Sequence, residues 1–88
     1  MRLIWSDAAL DKLSDFYVTL TLDEQDVLER TVKRINVQLR LRPDQLGESR
    51  TEWTRVWFEG GLMVRFELTP SEDVVTVYDV IRVMPKKR

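Results

Sequence analysis

The stretch RVWFEGGLMVRFELT, residues 55–69, contains two apolar runs joined by a pair of glycines. In the second run every other side chain, from Leu62 to Leu68, is large and apolar. This period of two is typical of a β-strand with one buried face. Paired glycines before such a strand indicate a tight turn, because glycine readily adopts the left-handed backbone conformation that hairpin turns need. The stretch therefore predicts a β-hairpin.

The register of this hairpin depends on the length of its turn. A two-residue turn over residues 60–61 would place Arg55 on the buried face, which is costly for a charged side chain. A three-residue turn over residues 59–61 keeps Arg55 on the outward face and still supplies a glycine for the left-handed position. We therefore predict the three-residue turn, which puts Arg55 directly opposite Arg65.

The segment that precedes the hairpin begins with a short strand and a first helix. Residues 2–5 are typical of a strand, and Ser6 offers an N-cap oxygen to a helix over residues 7–18. Apolar side chains recur at helical spacing along this helix and define its buried stripe. They are Leu10, Leu13, Tyr17 and Leu20, with Phe16 beside them.

A second helix follows directly. Thr21 and Glu24 have the spacing of a capping box, in which each side chain satisfies a backbone amide at the start of a helix. The helix ends near Arg42, because Pro43 disfavours helical geometry in the residue before it. Its buried stripe is Leu28, Val32 or Thr31, Ile35 and Leu39. The two helices therefore form a hairpin.

Three strands complete the chain, over residues 53–58, 62–69 and 74–83. The predicted order is βααβββ. It describes a single α+β domain over residues 1–88, in which the N-terminal helical hairpin packs on one face of an antiparallel sheet. Residues 84–88 form a short basic C-terminal tail.

The composition excludes several kinds of catalytic and metal-binding site. The 88 residues include no Cys and no His, which excludes disulfides, thiol nucleophiles, Cys or His zinc sites and histidine as a general acid or base. We therefore predict no metal and no cofactor. The net charge of −1 gives no global attraction for nucleic acid, so any such binding must come from a local patch.

The chain also lacks a stretch of membrane-spanning length and the sustained apolar run of a signal peptide at its N-terminus. These features predict a cytoplasmic protein without membrane contact. A core of this size contributes only a few kcal/mol of net stability, roughly 3 to 5. A partner protein or a homodimer would therefore stabilise the domain usefully.

Several sequence patterns together resemble the RelE/ParE toxin superfamily. The segment LIWSDAALDKL at residues 3–13, the helical hairpin, the run GESR at residues 47–50 and RVWF at residues 55–58 carry the resemblance, which spans nearly the whole chain. It implies the toxin half of a type II toxin–antitoxin pair, held inactive by a cognate antitoxin. RelE-like members of the superfamily cleave mRNA in the ribosomal A site without a metal ion, whereas ParE-like members poison DNA gyrase.

The resemblance also implies a catalytic set of basic residues. Arg55 occupies a position where RelE-like nucleases carry a lysine, and Arg82 lies near the basic residue that ends their last strand. Trp57 and Met63 stand where further basic residues are expected, so the nuclease set is incomplete. The leading interpretation is a RelE-like, metal-independent endoribonuclease. The alternatives are a ParE-like gyrase inhibitor and a catalytically inactive toxin-like protein that binds an antitoxin.

The predicted register gives this catalytic set a location. Arg55 and Arg65 face each other on the outward side of the hairpin, and Arg82 joins them if the last strand has no bulge. Asp79 would then fall on the buried side, so either the core ends there or a bulge reverses the alternation. Three guanidinium groups could hold a phosphate and stabilise charge during RNA cleavage. The alternative is a solvated sheet face.

Further candidates for binding lie around this face. Trp53 and Trp57 are predicted to face outward, where they could receive antitoxin side chains or stack on RNA bases. Their alternative role is partial burial. The predicted nucleic-acid contacts are Arg50, Trp57, Lys86, Lys87 and Arg88. For the last three, a solubilising terminus is the alternative.

Overall fold

Two helices and a five-stranded sheet make up the domain in the computed structural model, which describes residues 1–83. The helices are α1 (Asp7–Val18) and α2 (Leu22–Leu41), and the strands are β1 (Arg2–Trp5), β2 (Glu48–Ser49), β3 (Thr54–Glu59), β4 (Leu62–Thr69) and β5 (Val74–Arg82). Their order in the sheet is β1-β5-β4-β3-β2, with β1 parallel to β5 and all other pairs antiparallel. The predicted α+β fold is confirmed. The two-residue strand β2 was not predicted, and β1 makes the sheet mixed.

Both helices begin where their capping residues predict. The Ser6 hydroxyl accepts a hydrogen bond from the Ala9 amide at 3.1 Å. At the start of α2 the Thr21 hydroxyl accepts from the Glu24 amide at 3.2 Å, while the Glu24 carboxylate accepts from the Thr21 amide at 2.9 Å. These bonds satisfy amides that have no partner within the helix. In the described part of the chain, neither helix has the length and apolar character needed to cross a membrane.

The core lies between the two helices and one face of the sheet. On α2 the buried position is Thr31 rather than Val32, which is half-buried. Thr31 tolerates burial because its hydroxyl accepts a hydrogen bond from Arg34 at 3.2 Å. The fully buried large side chains are Phe66, Ile35, Leu39, Val64, Val75, Val77, Val80 and Thr31.

The hairpin has the two-residue turn, so the predicted register is wrong. Gly60 and Gly61 both have positive φ, at 57° and 83°, and Glu59 pairs with Leu62. Arg55 consequently lies opposite Phe66, on the side that faces the helices. The expected cost of this placement is avoided because its guanidinium group reaches carbonyl oxygens at the edge of the sheet. A turn with two positive φ angles also matches the twist of the strands that it joins.

A bulge in β5 settles the direction of its side chains. Arg65 pairs with Asp79 and Phe66 pairs with Val77, which leaves Tyr78 as the extra residue. The bulge reverses the alternation, so that Val77 and Val80 are both fully buried. The alternative with a bulge is therefore confirmed.

Candidate functional site

The three arginines of the predicted catalytic set do not meet. Arg65 lies on the open face of the sheet, whereas Arg55 and Arg82 lie on the face toward the helices, opposite Phe66 and Leu62 of β4. Those two partners are four positions apart on the strand, which corresponds to about 13 Å. The prediction that the three guanidinium groups converge is wrong, because it depended on the longer turn and on an unbulged β5. A catalytic role for each arginine stays a prediction.

Arg55 ties the loop after α2 to the sheet. Its Nε donates to the carbonyl oxygen of Leu46 at 2.7 Å, and its Nη2 donates to that of Gly47 at 3.1 Å. Leu46 is buried in the core, and Gly47 has a φ of 65°. A side chain on Gly47 would collide with the Val56 carbonyl group, so the loop backbone lies directly against β3. Arg55 therefore stabilises the packing of this loop against the sheet.

Arg65 belongs to a small ionic cluster on the open face. Asp79 Oδ1 is 2.7 Å from Lys12 Nζ of α1, and Asp79 Oδ2 is 3.8 Å from Arg65 Nη1. The hydrogen bond from Lys12 lowers the pKa of Asp79 from its ordinary value, with a smaller contribution from Arg65. The carboxylate between the two cations offsets one of their charges. An incoming phosphate would have to compete with it.

The aromatic and basic candidates are dispersed. Trp57 is half-buried and packs against the core, so its predicted outward orientation is wrong and follows from the shifted register. Trp53 remains 46% exposed and lines a shallow depression next to Pro70, which leaves the antitoxin-binding prediction for Trp53 open. Arg50 forms an exposed ion pair, with its Nη2 3.7 Å from Oε1 of Glu48. The predicted contacts at Lys86, Lys87 and Arg88 lie outside the described residues.

A groove that the sequence reasoning missed lies between the tip of the helical hairpin and the β3–β4 turn. Its volume is about 320 Å³. The apolar residues that line it are Phe16, Leu20, Val27, Leu28, Leu62 and Val83. One signal in the sequence could have revealed it, since Val27 is apolar but lies off the predicted buried stripe of α2; in the structure this residue is 54% exposed. An exposed apolar residue beside a buried stripe extends that stripe beyond what the fold itself covers.

Charged groups border this groove. Asp23 and Glu24 lie on the α2 side, and Arg82 lies on the β5 side. Hydrogen bonds with Thr21 lower the pKa of Glu24 from its ordinary value, and the nearby Arg82 guanidinium lowers it further. Arg82 thus contributes to the electrostatics of the groove rather than to the open face. The groove can receive apolar side chains and has opposite charges on its two sides.

Comparison with known proteins shows that the fold of this chain is similar to that of a solved structure. No protein-family model and no curated protein matches the sequence. Among solved structures, the chain is similar to a chain of the "Chromosomal ParDE TA system from P. aeruginosa". The TM-score is 0.72 at 18% sequence identity, and the alignment covers 96% of this chain and 97% of that one. This likeness confirms the fold that the resemblance to the RelE/ParE superfamily implied.

Proposed function

We propose that this chain is the toxin component of a type II toxin–antitoxin pair, and that it acts by binding a protein target in the manner of ParE-like toxins. The observation that carries the proposal is the fold shared with a chain of a ParDE system over 96% of the present sequence. A cognate antitoxin is then its physiological partner. The resemblance to ParE-like toxins makes DNA gyrase the first target to test.

The placement of the arginines favours this mode of action over RNA cleavage. Cleavage by the predicted arginine set would need its three cationic groups to be preorganised around one phosphate. Here Arg55 is engaged by two backbone carbonyls, Arg65 neighbours Asp79, and Arg82 lies beside Glu24 on the other face. The RelE-like endoribonuclease, which led the interpretation of the sequence, therefore becomes the second candidate.

Two assays test the proposal. Expression of the chain alone is expected to slow bacterial growth, and co-expression of a small antitoxin encoded beside it is expected to restore growth. In vitro, the purified chain should inhibit DNA supercoiling by gyrase and should leave mRNA intact in a ribosomal A-site cleavage assay. Cleavage of mRNA without any effect on gyrase would establish the RelE-like alternative. Normal growth despite confirmed soluble protein would instead support a toxin-like protein without activity.

A further inference from the structure

The strand β1 forms an edge of the sheet, and backbone groups point outward from it. In its parallel ladder with β5, the amides of Arg2 and Ser6 donate to carbonyl oxygens of β5, both at 2.9 Å. Alternate residues of a parallel strand bond to the same neighbour, so the amide and carbonyl groups of Leu3 and Trp5 point away from β5. No strand within residues 1–83 pairs with that side of β1. Such an edge is a template for a further strand.

The opposite edge of the sheet offers no comparable template. It is formed by β2, which has only the two residues Glu48 and Ser49, and Glu48 forms an ion pair with Arg50. Proteins protect sheet edges with very short strands, charges, proline or bulges. In contrast, β1 has four residues in regular register with β5 and no proline, and its charged residue, Arg2, lies at its end. The sheet can therefore be extended at β1.

The strand β1 is complementary to itself when two copies run antiparallel. Pairing Leu3 of each copy with Trp5 of the other uses every outward amide and carbonyl group of both strands. This register places the two Ile4 residues together at a two-fold axis, in a non-hydrogen-bonded pair with Cα atoms about 4.5 Å apart. Ile4 is 44% exposed, and the contact would cover it. On the side of the helices, Leu3 and Trp5 are half-buried and gain each other as cross-strand neighbours.

The charges at the two ends of β1 indicate that its partner is a second copy. Arg2 is exposed at the start of the strand, and Asp7 is exposed in the first turn of α1, just after the strand ends. Neither residue forms a salt bridge within residues 1–83. In the antiparallel register, Arg2 of each copy lies beside Asp7 of the other. A strand of another protein would need this same order of charges, whereas a second copy supplies it by symmetry.

We propose that two copies of this chain associate through β1, so that their sheets join into one continuous sheet across a two-fold axis. The inference goes beyond the proposed function and does not depend on it. The interface is small, because each copy contributes a short strand and the start of α1, so the dimer depends on protein concentration. A domain with a small core gains stability from such an association.

Sedimentation equilibrium over a range of protein concentrations tests the association. We expect the parent chain to dimerise as its concentration rises. Ile4→Lys should weaken dimerisation by about tenfold or more, because it removes the apolar contact and brings two ammonium groups together at the axis. Phe58→Lys is the matched control at a residue of β3 that is 59% exposed, and it should dimerise like the parent. A parent chain that stays monomeric, or equal dimerisation by both variants, would overturn the proposal.

Charge reversal tests the antiparallel arrangement and does not rely on Ile4. Arg2→Glu brings acidic residues together at both ends of the dimer, and Asp7→Arg brings basic residues together there. Each variant alone should dimerise severalfold more weakly than the parent, with a smaller difference at high salt. An equimolar mixture of the two should recover dimerisation, because a heterodimer has opposite charges at both ends. A mixture that remains as dissociated as its components would contradict this arrangement.

Amide hydrogen exchange tests the strand pairing without any substitution. The amides of Leu3 and Trp5 point outward from β1, so their exchange should slow as the protein concentration increases. The Ile4 amide lies on the β5 side and serves as the internal control, with exchange that changes less. A chain that dimerises while exchange at Leu3 and Trp5 stays constant would have its interface elsewhere, and the proposal would be wrong. None of these measurements involves toxicity, so their outcome is independent of the proposed function.

Discussion

Replacing Arg55 with alanine distinguishes the register of the structure from the register expected from the sequence. In the structure the Arg55 guanidinium donates to the carbonyl oxygens of Leu46 and Gly47, at 2.7 and 3.1 Å. Hydrogen bonds to a charged group contribute about 1.5–3 kcal/mol each when well shielded, and water competes at a half-exposed side chain. We therefore expect Arg55→Ala to lower the free energy of unfolding by about 2 kcal/mol in total. In a domain of this size that corresponds to a drop in Tm of about 8–16 °C.

Thermal and urea unfolding measure this effect. Arg50→Ala is the control, since the exposed pair that Arg50 forms with Glu48 at 3.7 Å should contribute less than about 0.5 kcal/mol. Arg55→Lys should lie between the parent and the alanine variant, because one ammonium group cannot reproduce the planar fork. The register expected from the sequence places Arg55 opposite Arg65 and predicts no loss of stability. An alanine variant that unfolds like the parent and yet loses toxicity would refute the structural role.

The remaining predictions concern other positions. Gly47→Ala should destabilise far more than Gly61→Ala in urea unfolding, because both have positive φ but an added methyl group at Gly47 would clash with the Val56 carbonyl group, whereas at Gly61 it would lie 3.9 Å from the Val83 carbonyl oxygen; similar losses would contradict this. Asp79 has a lowered pKa in the folded state, so its contribution to stability is present above its ordinary pKa near 3.8 and is lost as the pH falls below it. Asp79→Asn should therefore flatten the acid side of the stability curve, and an unchanged slope would show that Lys12 does not act through this carboxylate. Thr21→Ala should cost about 1 kcal/mol through loss of the capping box, measured by chemical unfolding.

Local signals were sufficient to place both helices and four of the five strands, but not the two-residue strand β2. The first helix was predicted over residues 7–18 and is observed over Asp7–Val18, and the middle strand was predicted and observed over Leu62–Thr69. These boundaries are set by residues within a few positions of each other: capping side chains, proline and paired glycines. Such interactions can be inferred from the sequence because the groups involved are close along the chain.

The candidate site, in contrast, depended on contacts between residues that are distant in sequence. The predicted arginine cluster required Arg55 to face outward. From the strand sequence alone, a register that places a charged residue opposite the buried Phe66 is expected to be costly. The carbonyl oxygens that satisfy Arg55 belong to residues 46 and 47, eight or nine positions away and brought alongside by the unpredicted strand β2. The groove likewise joins the start of α2 to the β3–β4 turn and the end of β5.

The sequence by itself determined the α+β class, both helices and four of the five strands to within one residue at each end, because alternation, helical spacing and capping are local properties. The tertiary structure alone decided the register of β3, the bulge that leaves Tyr78 unpaired and the resulting separation of Arg55, Arg65 and Arg82. Alternation within one strand is compatible with two registers that differ by one residue, and that shift reverses every side chain. Which register has the lower free energy depends on partners that are distant in sequence, so long-range contacts made the choice.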